Sequence, residues 1–239
     1  MHVKGLNRNQ IKYIVIIAMV IDHIAWAFVP TLSGLGIAMH FIGRLTGPTM
    51  AFFIAEGYLH TSDIKRYAAR LCIFAFISWI PFSIFENGRW PTCDFGMIYT
   101  LFLGLIAVWV WDKAKINYYF KIAIVIIILL LSSFGDWSYT AVLIPLILVN
   151  YKDDEELKWG GLILICLVKI ALAMTYGWKS GLMQSGILLV PLMLIFLYNG
   201  EAGSKHHFHK WFFYVFYPLH LVILIIIRYK VLGIGVKFF

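Results

Sequence analysis

Ile21-Asp22-His23 stands inside the first apolar run of the chain, and Gly43-Arg44-Leu45-Thr46-Gly47-Pro48 stands inside the second. Both runs are long enough to cross a membrane as helices, which takes about 20 residues. A charge in hydrocarbon costs several kcal/mol, by estimates from about 3 to above 10. We therefore expect these ionisable residues to serve a function, and Asp22, His23 and Arg44 are the first candidates for a site.

The composition predicts an all-α integral membrane protein. Of the 239 residues, 62% are hydrophobic and 13% are charged, whereas a soluble domain carries about 25% charged residues. The net charge of +8 does not indicate nucleic-acid binding, because the basic residues lie in short loops between apolar runs, where they set membrane topology. The three cysteines form no paired framework, and no metal site is predicted.

We predict a polytopic bundle of about nine transmembrane helices, in a single domain that spans residues 1–239. The approximate bounds are 10–29, 36–58, 64–86, 95–112, 117–134, 137–150, 157–175, 180–198 and 211–229. The sixth helix is short, so the fifth and sixth alternatively form a re-entrant pair around Gly135-Asp136. The His206–His209 run is interpreted as a flexible loop.

Lys and Arg set the predicted orientation of the bundle. The N-terminal arm carries Lys4, Arg8 and Lys12, and alternate loops are basic. This distribution places the N-terminus in the cytoplasm of a multi-pass protein of the cell membrane. With nine spans the basic C-terminal tail, which includes Lys237, would lie outside, against the same rule.

The ionisable residues inside the predicted spans fall in one broad layer. His220 lies near the middle of the ninth helix and Lys169 in the outer part of the seventh, at depths similar to those of Asp22, His23 and Arg44. They avoid lipid only by facing the bundle interior and one another. We expect Asp22 to pair with Arg44 and His23 to face a cavity. A purely structural ion pair is the alternative.

The second predicted span has spacing that supports this layer. His40 and Arg44 are four residues apart and share a helix face, while Gly43 and Gly47 permit a close approach of helices. Pro48 cannot donate to the carbonyl of Arg44, which then needs another partner or lines a cavity.

A second polar group lies at the predicted cytoplasmic ends of helices two and three. It consists of Glu56, Asp63, Lys65, Arg66 and Arg70. Ordinary membrane topology explains it, and so does a mouth that binds phosphate, because Arg and Lys grip anionic oxygens. A histidine in a water-poor cavity suits general-base catalysis and proton relay equally well.

The order and spacing of several motifs resemble the TraX family of membrane proteins, over most of the chain. The motifs are Met19–His23, Ile42–Pro48, Glu56-Gly57-Tyr58 with Thr61, Tyr67, Arg70-Leu71, Ser78–Phe82, Tyr99–Leu105, Asp136-Trp137-Ser138 and Phe213–Leu221. The resemblance implies a membrane-embedded acetyltransferase, because that family is associated with acetylation of a conjugative pilin. It also implies a relation to transmembrane acyltransferases that take acetyl from cytoplasmic acetyl-CoA.

The resemblance implies roles for individual residues. His23 would be the general base, supported by Asp22. His220 would polarise the thioester carbonyl or hold the acceptor, and Arg44 would stabilise the oxyanion. Arg66 and Arg70, with the neighbouring Glu56 and Tyr58, would bind acetyl-CoA, the latter two being the residues of the Glu56-Gly57-Tyr58 motif.

The acceptor is left open between a pilin-like peptide amine, a glycan and a lipid. Two other classes of function use the same residues. One is a proton-coupled transporter or flippase that relays protons through the Asp, His and Arg side chains. The other is a non-catalytic assembly protein or chaperone. Dependence on CoA separates the enzyme from both.

Overall fold

The protein is a bundle of helices in the computed structural model, which describes residues 5–233 and the backbone of residues 237–238. Lys4 and the side chain of Lys237, both used above for orientation, lie outside this part. The helices of the described part are α1 (Arg8–Phe28), α2 (Gly34–Gly43), α3 (Thr46–His60), α4 (Ile64–Asn87), α5 (Met97–Lys113), α6 (Tyr118–Ser132), α7 (Ser138–Asn150), α8 (Glu155–Met174), α9 (Trp178–Ser185), α10 (Leu189–Leu197) and α11 (His207–Leu232), with a 3-10 turn at Gly186–Leu188. Two short strands, β1 (Arg89–Trp90) and β2 (Lys237–Phe238), pair in parallel.

The predicted nine-span count is not confirmed. Six helical stretches of the described residues are long and apolar enough to cross a membrane, namely α1, α2–α3, α4, α8, α9–α10 and α11. The other three predicted spans are α5, α6 and α7, with 17, 15 and 13 residues. At 1.5 Å per residue, α7 is about 20 Å long, against a hydrocarbon core of about 30 Å. These lengths agree with the re-entrant alternative for α6 and α7, which stays a prediction.

Two predicted continuous helices are broken, and this corrects the sequence analysis. The second span separates into α2 and α3 at Arg44-Leu45, because Pro48 has no N–H to close a helical turn onto the Arg44 carbonyl. The eighth span separates at the 3-10 turn before Pro191. The start of the ninth was also wrong: His206 caps α11 and His207 begins it, so most of the histidine run is helical.

The core lies around α5 and α7, whose buried residues occupy several faces of each helix. Helices α3, α4, α6 and α8 pack against this pair, and α1 and α11 pack in turn on α3 and α4. By contrast, α6 buries only Ile128 and Ser132 among its residues and presents large apolar side chains outward, such as Leu130, which is 66% exposed. An apolar outer surface is what a bilayer requires.

Gly47 fixes the approach of α3 to the start of α7. A Cβ atom at Gly47 would lie 2.1 Å from the indole ring of Trp137, well inside van der Waals contact. Trp137 is buried and precedes α7 with a positive φ of 61°. The close approach predicted for Gly47 is confirmed.

We expect Gly47→Ala to lower the free energy of unfolding by about 1–3 kcal/mol, because the added methyl overpacks the Trp137 contact. The measurement is the thermal unfolding midpoint of the detergent-purified protein. Gly160→Ala in α8 is the control, because a Cβ there meets nothing within 4 Å; it should leave the midpoint unchanged or raise it. Equal midpoints for the two variants would contradict the packing described.

Candidate functional site

The break between α2 and α3 places Arg44 against Asp22 of α1. Arg44 Nη2 donates to Asp22 Oδ1 at 2.7 Å and to Oδ2 at 2.8 Å, and Arg44 Nε donates to the His40 carbonyl at 3.2 Å. His40 Nδ1 donates to Asp22 Oδ1 at 2.8 Å, and the whole His40 residue is fully buried. The predicted Asp22–Arg44 pair and the shared face of His40 and Arg44 are therefore confirmed.

Gly43 permits this contact. A Cβ atom there would lie 2.3 Å from the side chain of Asp22, so any larger residue would displace the carboxylate. The Asp22 and Arg44 side chains are only 13% and 11% exposed. Two charges so far from water are held by their mutual attraction and by the additional hydrogen bonds that His40 supplies.

His23, which follows Asp22 on α1, faces His220 of α11, with ring centroids 4.9 Å apart. His23 Nδ1 lies 2.8 Å from the Met19 carbonyl, and His220 Nδ1 lies 3.1 Å from the Phe216 carbonyl. A carbonyl oxygen only accepts, so each Nδ1 carries a proton, and in the neutral imidazole Nε2 then presents a lone pair. Among the described residues, His220 Nε2 is buried without a hydrogen-bond partner.

Aromatic rings enclose the two histidines. Phe85 lies 5.4 Å from the His23 ring, and Phe216 stacks on His220 at 5.5 Å. Tyr217 contacts both histidine rings, and its hydroxyl oxygen accepts from the Met97 N–H at 3.1 Å. The pair therefore sits in an apolar cage in which neither Nε2 has a hydrogen-bond partner among the described residues.

A cavity of about 240 Å³ opens beside His23 and contains the Asp22–Arg44 pair in its wall. Three further carboxylates line it, those of Glu86, Asp94 and Asp136. We call this space the acidic cavity. Arg44 is the one Lys or Arg among its lining residues in the described part of the chain, so an occupant with a positive charge is favoured there.

The Trp137 ring lies next to this cavity and contacts two cationic side chains. The Arg44 guanidinium carbon lies 5.2 Å from its ring centroid and the Lys169 ammonium 5.6 Å, both within cation–π range. The Trp137 backbone N–H donates to Asp136 Oδ1 at 2.8 Å. Lys169 thus belongs to the predicted layer, but it lies by the Trp137 ring and does not line the acidic cavity.

A second cavity, of about 620 Å³, lies at the N-terminal end of α1. Its wall carries the side chains of Arg8, Lys12, Arg70, Lys205 and Lys210, and we call it the basic cavity. The segment between α10 and α11 lines part of the cavity and is bonded to the start of α1. The Arg8 backbone N–H donates to the Glu201 carbonyl at 2.8 Å, and Asn9 Nδ2 donates to the Ser204 carbonyl at 2.8 Å.

The four residues expected to bind the cofactor separate into two groups. Arg70 and Glu56 line the basic cavity. Arg66 does not line it; its side chain is 82% exposed and its Nε lies 2.9 Å from Asp63 Oδ2. Tyr58 is also absent from the cavity wall and donates to Asp112 Oδ2 at 2.6 Å.

Glu56 is itself engaged at the edge of the basic cavity. It accepts from the Tyr198 hydroxyl at 3.2 Å. Burial, and then the nearby Glu56 carboxylate, raise the pKa of Tyr198, so the hydroxyl keeps its proton and remains a donor. Glu56 therefore holds the wall of the cavity through Tyr198.

Sequence reasoning missed Glu86 and Asp136 as parts of the site. Both stand at or beyond a helix end, where an acidic residue is ordinary, and only the packing of α4 and the α6–α7 turn brings them to His23. Asp136 did stand within a motif, Asp136-Trp137-Ser138, which was the available signal.

Comparison with known proteins gives two matches and one negative result. The family model described as TraX protein matches residues 7–228. The probable fimbrial assembly protein FimC, serogroup H1, of Dichelobacter nodosus is 31% identical over 230 residues, which cover 90% of this chain and 93% of that protein. No solved structure is significantly similar to the chain.

We expect Arg44→Gln to lower the free energy of unfolding by about 3–5 kcal/mol, because it leaves the Asp22 carboxylate buried without its countercharge. The double variant Asp22→Asn/Arg44→Gln should be clearly more stable than Arg44→Gln, since it removes both charges. Thermal unfolding midpoints of the wild type, Asp22→Asn, Arg44→Gln and the double variant in one detergent provide the measurement. A double variant as unstable as the sum of both single variants would show that the two side chains are not coupled.

Proposed function

Because the chain belongs to the TraX family, we propose that it is a multi-pass membrane acetyltransferase. It takes acetyl from acetyl-CoA and transfers it to an amine. The observation that carries this proposal is the His23–His220 pair, in which His23 lines the acidic cavity and the buried His220 ring packs against it. In this position a histidine acts as general base, an effect typically worth about 10²–10⁴ in rate.

The proposed step is a direct acyl transfer. The amine nitrogen attacks the thioester carbonyl carbon, a C–N bond forms, and the C–S bond breaks to release the CoA thiolate. The acceptor binds as an ammonium and first releases one proton to water, which leaves the neutral amine that attacks. His23 Nε2 takes the second proton during the attack and returns it to the thiolate, so one proton is released per transfer and no other reactant is needed. An acetyl-histidine intermediate is the alternative route.

The other residues of the site have supporting roles in this proposal. Arg44 lines the acidic cavity, where a fixed cation favours the oxyanion that develops on the carbonyl. Asp22 holds Arg44 and His40 in place and contributes its field to His23. His220 presents a lone pair, which suits holding the acceptor N–H better than polarising the carbonyl.

The acidic cavity supports an amine as acceptor. An ammonium group is attracted by the charges of the Glu86, Asp94 and Asp136 carboxylates, whereas a sugar hydroxyl hydrogen-bonds to them without a charge for their field to attract. The relative from Dichelobacter nodosus is described as a probable fimbrial assembly protein. We therefore propose that the acceptor is the amine of a pilin-like subunit.

The proposed direction of transfer follows from the two cavities. Ile98 lines the basic cavity, and the adjacent Met97 contacts Tyr217, whose ring touches both histidines. The histidines thus stand between the basic and the acidic cavity. Acetyl-CoA would approach from the basic side, on which the N-terminus lies, and the acceptor from the acidic side. With the N-terminus in the cytoplasm, the donor is cytoplasmic.

We expect His23→Ala to reduce acetyl transfer by about 10²–10⁴ while keeping CoA binding, because His23 moves a proton and does not hold the nucleotide. The assay uses radiolabelled acetyl-CoA and the detergent-purified full chain, first for binding and then for transfer to a pilin-derived peptide. His207→Ala is the matched control, since His207 is exposed at the start of α11 and lines neither cavity.

Absence of acetyl-CoA binding by the wild-type protein would refute the proposed acetyltransferase activity. Transfer that is as fast in His23→Ala as in His207→Ala would refute the assignment of the base. A proton-coupled transporter predicts proton uptake into liposomes without any dependence on CoA, and this result would replace the acetyltransferase.

We expect the double variant Glu86→Gln/Asp136→Asn to raise the KM for a peptide amine by about tenfold or more, with a smaller effect on kcat. Charge-assisted hydrogen bonds are worth about 1.5–3 kcal/mol, and a tenfold change corresponds to about 1.4 kcal/mol. Asp153→Asn, in the exposed loop before α8, is the control. An unchanged KM would indicate that the acceptor is not bound as a cation.

A further inference from the structure

The basic cavity has cations without countercharges. Its five Lys and Arg side chains are those of Arg8, Lys12, Arg70, Lys205 and Lys210, and none has a carboxylate oxygen within 4 Å among residues 5–233. In the same part of the chain, one carboxylate lines the cavity, that of Glu56, and it accepts from Tyr198. The cavity therefore carries an excess of positive charge with nothing in the described chain to balance it.

Lys12 and Arg70 are half-buried in the wall of the basic cavity. The Lys12 ammonium is 5.4 Å from the ring centroid of Phe53 and 5.2 Å from that of Phe213. Arg70 Nε is buried and, within the described residues, has no hydrogen-bond partner. A buried donor without an acceptor carries a desolvation cost that an anion would offset. The ring faces attract the Lys12 ammonium but do not neutralise its charge.

The volume and lining of the cavity suit a small ligand that has both an apolar and an anionic part. Its volume of about 620 Å³ is in the range of ligand-binding pockets, about 300–1,000 Å³. Ile98 and Leu101 form an apolar floor, while Lys205 and Lys210 are exposed near its mouth. Arg and Lys arranged around one space match the oxygens of phosphate groups.

We propose that the basic cavity binds a ligand that carries phosphate groups, with Lys12 and Arg70 as the inner contacts and Arg8, Lys205 and Lys210 nearer the mouth. Identifying that ligand as acetyl-CoA rests on the proposed function. The phosphate groups can also belong to the headgroup of an anionic phospholipid. Arg66 and Tyr58 have no part in this site.

The position of Lys12 agrees with the chemistry proposed for His23. Both residues are on α1, eleven positions apart, and a helix rises 1.5 Å per residue. Lys12 is therefore about 16 Å from His23 along the axis. Phosphates held at Lys12 leave that distance for the thin arm that carries the thioester.

The test measures binding of CoA and of pantetheine, which lacks phosphates, to the detergent-purified full chain. We expect CoA to bind tighter than pantetheine by on the order of a hundredfold, and rising salt to weaken CoA binding. Lys12→Gln and Arg70→Gln should each weaken CoA binding by about tenfold, whereas Lys12→Arg should keep it. Arg66→Gln is the matched control, because Arg66 is paired with Asp63 outside the cavity.

A parallel arm identifies the source of the phosphate. Retention of phosphatidylglycerol from nanodiscs is measured by native mass spectrometry for wild type, Lys12→Gln and Arg66→Gln. Lipid retention that requires Lys12, in a protein that does not bind CoA, assigns the cavity to a lipid headgroup. If the protein binds neither CoA nor phosphatidylglycerol, the proposal is overturned.

Two further results overturn the inference. One is equal binding of CoA and pantetheine by the wild type. The other is CoA affinity that falls equally in Arg66→Gln and Lys12→Gln. The proposed function fails separately: CoA binding that depends on Lys12, without acetyl transfer, refutes the acetyltransferase and leaves the phosphate site intact. Acetyl transfer by Lys12→Gln with unchanged CoA affinity refutes the phosphate site alone.

Discussion

The ion pair between Asp22 and Arg44 is the constraint on which the polar interior of this bundle depends. Neither charge is stable alone in an apolar surrounding, so the two helices that carry them must meet at this depth and in this rotation. Gly43 permits the close approach of α1 and α2, and the break between α2 and α3 directs the Arg44 guanidinium toward Asp22. Since His23 adjoins Asp22 on α1, fixing the pair also fixes the direction in which His23 faces.

Much of this centre was predictable from the sequence because membrane burial makes charges informative. An Asp, an Arg and two His inside apolar runs avoid lipid by facing the bundle interior and one another. Gly43 marked the point where the helices approach closely. The prediction failed where the residues concerned are ordinary in isolation. Glu86 and Asp136 stand at helix ends, and only the packing of distant helices makes them neighbours of His23.

The basic side shows a different limit of sequence reasoning. Topology predicted that cations gather at one end of the bundle, and they do, but it did not predict which of them face inward. Arg66 and Arg70 share a helix face, yet Arg66 lies in the first turn of α4 and is held by Asp63, which caps that helix. Lys12 was counted only toward orientation, although its side chain lies against two aromatic rings of the interior.

The length of a helix also differs from the length of the apolar run that predicts it. Hydropathy marked nine runs, but α6 and α7 are short and are joined by a tight turn, in which the Asp136 backbone N–H donates to the Phe95 carbonyl at 2.9 Å. The turn lies beside Arg44. An apolar run therefore indicates burial in lipid or protein, and its length decides between a complete crossing and a partial one.

The separation of the two cavities has a consequence for the permeability of the membrane. What lies between them is a layer of close-packed side chains, with Tyr217 locked to the Met97 N–H and two histidine rings in edge contact. A hydrated ion would have to lose its water and displace these rings to pass, at a cost of many kcal/mol. The layer between the two cavities is therefore closed to ions, so the electrochemical gradient across the bilayer is preserved.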